Sequence, residues 1–138
     1  MLVFITSLIS LVILSFVIID KPTPYQFPEL KMFPQMPTSE NLPTVEGVEL
    51  GRFLFYDTIL SANNTFSCAS CHKQETAFSD SPKRFSEGIN GELMKRNTMP
   101  LYNLAWYPSL FWDGKAESVE SQVFHPVRTH NEMNLDWK

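Results

Sequence analysis

Two cysteines stand three positions apart, and a histidine follows the second directly: Cys68-Ala69-Ser70-Cys71-His72. They are the only two cysteines in the chain. A pair at this spacing serves as a redox dithiol, as half of a zinc site, or as an anchor for haem. The dithiol expects a βαβ surrounding, and strand signals are weak throughout this sequence. A structural zinc needs four ligands, and no second pair is suitably spaced. His125 and His130 lie five apart and over fifty residues downstream, which makes them poor partners. The histidine decides for haem. Two thiols on one helical turn reach two vinyl groups along one porphyrin edge, and the next imidazole projects beneath the ring toward iron. The expectation is one covalent haem c on Cys68 and Cys71, with His72 as the proximal iron ligand.

The remaining chain must wrap that group with modest means. Its 138 residues are 43% hydrophobic and 19% charged, an ordinary globular balance for about one small domain. A domain of this size buries a smaller share of its surface than a large one, so a cofactor filling its centre adds needed core. The formal charge of −4, with no Lys/Arg cluster, excludes a nucleic-acid surface.

Three regions follow from composition. Residues 1–20, MLVFITSLISLVILSFVIID, are apolar from Leu2 to Ile19 except for Thr6, Ser7, Ser10 and Ser15. They read as a cleaved export signal or a retained membrane anchor, with a buried core helix as the third reading. The first two place the rest of the chain outside the cytoplasm. Residues 21–43 carry Pro22, Pro24, Pro28, Pro34, Pro37 and Pro43, and proline disfavours helix at its own and the preceding position. This is a tether, and Tyr25, Phe27 and Phe33 lay it along a surface. Residues 44–138 form the domain.

Within the domain, Val45, Val48, Leu50, Phe53 and Leu54 recur near helical spacing, which predicts a helix from Val45 to Tyr56. Thr44 is its N-cap and Glu46 complements its dipole. Asp57 to Thr65 and Ser79 to Arg96 read as loops. Thr98 to Trp112 is apolar and aromatic, with a short helix and a turn around Pro108. Ser118 caps a second helix, with Glu120 in its first turn, running to Phe124. The class is mainly α.

Function turns on the sixth position of the iron. A carrier closes it, usually with methionine, and Met94, Met99 and Met133 are available. An enzyme leaves it open beside acid and base groups. Gln122, His125, Arg128, His130 and Glu132 lie in one stretch; from composition alone that stretch is a solvated loop.

Three blocks carry a resemblance. They are VELGRFLFYDTILSANNTFSCASCH (Val48 to His72), RNTMPLYNLAWYPSLFWDGKAESVESQ (Arg96 to Gln122) and HPVRTHNEM (His125 to Met133). Together they resemble the N-terminal half of bacterial di-haem cytochrome c peroxidases and their methylamine-utilisation relatives. The resemblance implies a cytochrome c-like peroxidatic-haem domain, with a second, electron-transfer haem in a C-terminal domain. It implies electrons from a small c-type cytochrome or cupredoxin, and hydrogen peroxide reduced to water. By the same resemblance Glu132 is the acid/base of the peroxide pocket, Gln122 its neighbour, and Trp112 the tryptophan between the haems. Asn97 matches a calcium ligand. A periplasmic location and a homodimer of the full-length protein are further expectations. Without the resemblance, Glu132 is a surface acid, Trp112 a core residue and Asn97 a cap.

Two departures stand out. The loop from Lys73 to Met99 has no histidine, where many members carry one that ligates the resting iron; the expectation is a sixth site not blocked in this way. No second C-x-x-C-H follows before Lys138, so a fragment of a longer protein is expected rather than a degenerate copy. The rival functions are a mono-haem electron carrier and a di-haem relative that oxidises another substrate.

Overall fold

The computed structural model describes residues 21–37 and 41–137. The expected signal or anchor segment, residues 1–20, lies outside them. Among the described residues no helix is long and apolar enough to cross a membrane.

Helix α1 runs Val45–Tyr56. Thr44 starts it from extended backbone, its Oγ1 accepting the Gly47 amide at 3.0 Å. The helix ends where the Asp57 amide bonds Phe53 O, and Asp57 Oδ1 then accepts the Ile59 amide at 2.9 Å to open a 3-10 turn, Thr58–Leu60. Residues 23–25 pair antiparallel with the entry to α1. Val45 N donates to Thr23 O at 2.8 Å, Tyr25 N to Pro43 O at 3.0 Å, and Thr23 N to Glu46 Oε2 at 3.0 Å. Further along, Trp106 Nε1 donates to Pro34 O at 3.3 Å and its ring lies 5.2 Å from Phe33.

Helix α2 is the single turn Cys68–Cys71, packed against α1. A 3-10 turn, Gln74–Thr76, follows it, and another spans Leu104–Trp106. Helix α3 runs Val119–Arg128, with Ser118 Oγ accepting the Ser121 amide at 3.1 Å. It continues four residues past the expected end and through Pro126. Two returning amides explain the extension: Met133 N donates to Pro126 O and Leu135 N to Val127 O, while Val127 itself is buried. These bonds satisfy carbonyls that a helix end leaves orphaned. Among the described residues there are no strands, only isolated bridges such as Leu110 with Ala116. The molecule is mainly helical, with long connecting loops.

Its interior is small and half polar. Leu110, Ala116, Val127 and Met133 are the buried apolar residues, and Ser61, Ser67, Asp80 and Ser86 are buried beside them. Buried polar groups hold a fold only when bonded, and no buried side-chain donor or acceptor lacks a partner among the described residues.

Candidate haem-attachment and acid/base site

A serine just before the motif and one inside it set its turn. Ser67 N donates to Ser70 Oγ at 3.1 Å, and Ser70 N donates back to Ser67 O at 3.1 Å. His72 closes the turn through its amide on Cys68 O at 2.9 Å. Both thiols are half-buried and free, and burial pushes each above its ordinary pKa; for Cys71 the charge of Asp80 adds to that. The thiols are therefore uncharged at neutral pH.

The His72 ring is oriented by the bond from Nδ1 to Phe78 O at 2.8 Å. A carbonyl can only accept, so Nδ1 carries the proton and Nε2 keeps its lone pair. Burial lowers the pKa of His72, against weaker opposing contributions from the Phe78 and Met99 backbone and from Asp80. A neutral imidazole with a fixed tautomer is the form that ligates a metal. Two neutral thiols on one turn and an imidazole aimed by a backbone carbonyl fit a covalent haem.

Glu132 stands on the segment that returns after α3. Its amide donates to Thr129 O at 2.9 Å and its carbonyl accepts the Ile89 amide at 3.0 Å. Burial raises the carboxyl pKa, and the Lys115 ammonium opposes that only in part. The Glu132 charge raises the Cys71 thiol too, by less than burial and Asp80 do, which places the acid in the electrostatic surroundings of the attachment motif. Gly88 makes this approach feasible: a Cβ there would fall 1.8 Å from Asn131 O.

The other expected residues are dispersed. Gln122 is half-buried on α3. Trp112 is exposed and donates from Nε1 to Asn97 O at 2.8 Å, which joins two of the expected residues directly. Asn97 donates from Nδ2 to Lys83 O and Arg84 O, each at 3.2 Å. No group of three or more His, Cys, Asp or Glu is placed to hold a metal ion among the described residues. His125 packs edge-on against Phe111, and His130 Nδ1 meets Asn134 Oδ1 at 3.1 Å; both are exposed. Met133 is buried, with its carbonyl accepting the Ala62 amide at 2.9 Å; Met94 reaches toward Gly88, and Met99 is half-buried. Sequence reasoning missed Phe78, Gly88, Asp80 and Lys115. Of these only the glycine carries a local signal.

A sequence profile described as "Di-haem cytochrome c peroxidase" matches residues 45–138. The methylamine utilization protein MauG of Methylorubrum extorquens is 40% identical over 92 residues, which is 67% of this chain and 26% of that protein. The cytochrome c peroxidase Ccp of Escherichia coli is 35% identical over 107 residues, 77% of this chain and 23% of that one. Among solved structures, the diheme peroxidase BthA of Burkholderia thailandensis superposes with a TM-score of 0.62 at 29% identity, over 68% of this chain and 28% of that chain. The chain thus spans about a quarter of the length of the curated relatives it matches. The match runs unbroken from the first turn of α1 through the attachment motif to the segment bearing Glu132, and on that ground the chain belongs to the di-haem cytochrome c peroxidase family.

Proposed function

We propose that residues 44–138 form the peroxidatic-haem domain of an exported enzyme that reduces hydrogen peroxide to water. One observation carries the reading: a half-buried acid with a raised pKa shares a neighbourhood with an attachment motif whose histidine is already oriented. Cys68 and Cys71 hold the one haem of this chain by thioethers, and His72 ligates its iron through Nε2. When bound, the haem supplies the iron that takes up peroxide and passes on electrons. Glu132 moves the proton: its carboxylate accepts one from one peroxide oxygen and returns it to the other, which leaves as water, while two protons from solvent and the two electrons complete the second water. Gln122 orients the substrate by its amide. The two electrons per peroxide come from a small c-type cytochrome or cupredoxin, by way of a second haem beyond this chain. By the family resemblance Trp112 would carry electrons from that haem, and Asn97 would supply a ligand to a calcium ion. Residues 1–20 direct or anchor the protein to the periplasm, residues 21–43 are the tether, and the full-length protein pairs as a homodimer.

The test uses protein matured in a host that attaches haem c. Haem should survive denaturation and acid-acetone extraction, and Cys68→Ala should shift the pyridine haemochrome to that of a single thioether. The full-length protein should oxidise reduced cytochrome c on addition of peroxide; absence of that turnover, with both haems attached, overturns the peroxidase reading. A second reading is favoured by the 40% identity to a methylamine utilization protein: the same site oxidises another substrate and uses peroxide only as oxidant. Peroxide consumption that proceeds without any cytochrome donor but with a reducing organic or protein substrate would select it.

A further inference from the structure

The bond that orients His72 depends on a turn the backbone does not favour. Ala77 and Phe78 both adopt left-handed conformations, φ 56° and 55°. Neither is glycine, and a side chain resists that region. The turn exists because its ends are tied. Lys73 N donates to Ser79 O at 3.0 Å and Phe78 N to Lys73 O at 2.8 Å, while the Thr76 and Ser79 side chains exchange bonds with each other's carbonyls, each at 2.7 Å. Beneath the turn lies Asp80, 2% exposed, paired with the Lys73 ammonium and bonded by the Ser86 hydroxyl. The Ser86 hydroxyl also shares a hydrogen bond with Thr98 Oγ1, 2.6 Å away. Thr98 precedes Met99, whose backbone also reaches His72. Burying a carboxylate is costly unless it is paired, and this one is paired with the residue that opens the turn orienting the imidazole.

We propose that Asp80 is a positioning residue for His72: by clamping Lys73 and Ser86 it holds the Ala77–Phe78 turn, and so the Nδ1–H bond to Phe78 O that sets the ligand strength of the imidazole. The proposal rests on the haem-c reading above. A hydrogen bond accepted from Nδ1–H raises the basicity of the coordinating nitrogen. Slackening the turn lengthens that bond and weakens the iron–histidine bond.

The experiment compares Asp80→Asn, Lys73→Met and Lys73→Arg with the wild-type haem-loaded chain. Haem retention on a denaturing gel is read first, then the ferrous iron–histidine stretch by resonance Raman and the ferric EPR g values. Asp80→Asn and Lys73→Met should keep the covalent haem and shift the stretch to lower frequency, with altered g values. Lys73→Arg, which keeps the pair, should match wild type. Where Asp80→Asn does not fold, Lys73→Met decides, since Lys73 is one-third exposed. An unshifted stretch with unchanged g values in the haem-bearing variants overturns the proposal, because a merely structural clamp would cost stability alone. Wild-type chain that loses its haem on the denaturing gel overturns the haem-c reading itself, a result seen before any spectrum is taken.

Discussion

Helix α1 and the loops around the attachment motif are held in opposite ways. The twelve residues of α1 include none that is buried, and Val45, Leu50, Phe53 and Tyr56 all stand exposed. Its definition comes from its ends, from Thr44 and Asp57. The loops contain hardly a regular element, yet Ser61, Ser67, Asp80, Ser86, Gly88 and Met133 are all buried there. Hydrogen bonds fix them residue by residue: Lys73 with Ser79, Ile89 with Glu132, Ala62 with Met133. Regular structure and burial are thus separate properties here, and the candidate site lies where burial is. Irregular backbone positioned by a bonded scaffold is the usual carrier of function.

That contrast can be broken at its strongest point. Glu132→Gln in the full-length enzyme should lower peroxidase turnover by about 10²–10⁴-fold, the usual contribution of a general acid/base, with the haem spectrum unchanged. Its burial also gives a pH signature. The folded state holds the Glu132 proton to higher pH than the unfolded chain does. The neutral acid therefore favours the fold at low pH, and that contribution is lost as pH climbs from the ordinary glutamate value through the raised one. As a base the group works only once deprotonated, so the acid limb of the activity profile should lie above the ordinary glutamate range and vanish in Glu132→Gln. A limb at the ordinary glutamate value would mean that the carboxylate is solvated when the enzyme works.

Gly88→Ala should come next. The new methyl meets the Asn131 carbonyl, and backbone must move to admit it. A loss of about 1–3 kcal/mol is expected in denaturant melts, the range for overpacking. Turnover of the full-length enzyme should fall with it, since Glu132 is the next residue. Thr44→Ala removes the cap of α1 and should cost about 1 kcal/mol, with the haem spectrum unmoved. Least of all should follow from Leu50→Gln, on the exposed face of α1, within about 0.5 kcal/mol in this chain. A large loss there would show that α1 depends on its outer face, and the contrast with the loops would close.

The same division explains what could be read in advance. The bounds of α1 and the start of α3 were legible because capping residues and apolar spacing are local signals. The end of α3 was not, since Met133 and Leu135 return to bond its last turn and carry it through Pro126. In Thr98 to Trp112 the aromatic run yields only the 3-10 turn Leu104–Trp106, entered through a left-handed Asn103. The motif Cys68 to His72 was singled out by its spacing alone. What aims the histidine stayed hidden: left-handed Ala77 and Phe78 leave no trace in residue type, and Lys73 with Asp80 looks like any two charges seven positions apart. Glu132 was singled out only through resemblance, because a lone acid in a polar run is indistinguishable from solvated surface.

The loop carrying Gly88 has a second glycine, and the two differ in what surrounds them. Gly88 is walled in by Asn131, whereas at Gly91, where φ is +73°, nothing stands within 4 Å. The tip is therefore a natural port for engineering. A short flexible insert or a fluorophore-bearing residue after Gly91 would project into solvent while the base of the loop stays locked against the acid. Such a graft would leave the Ile89 amide bonded to the Glu132 carbonyl at the base of the loop, so the tip can be relabelled without disturbing the candidate acid.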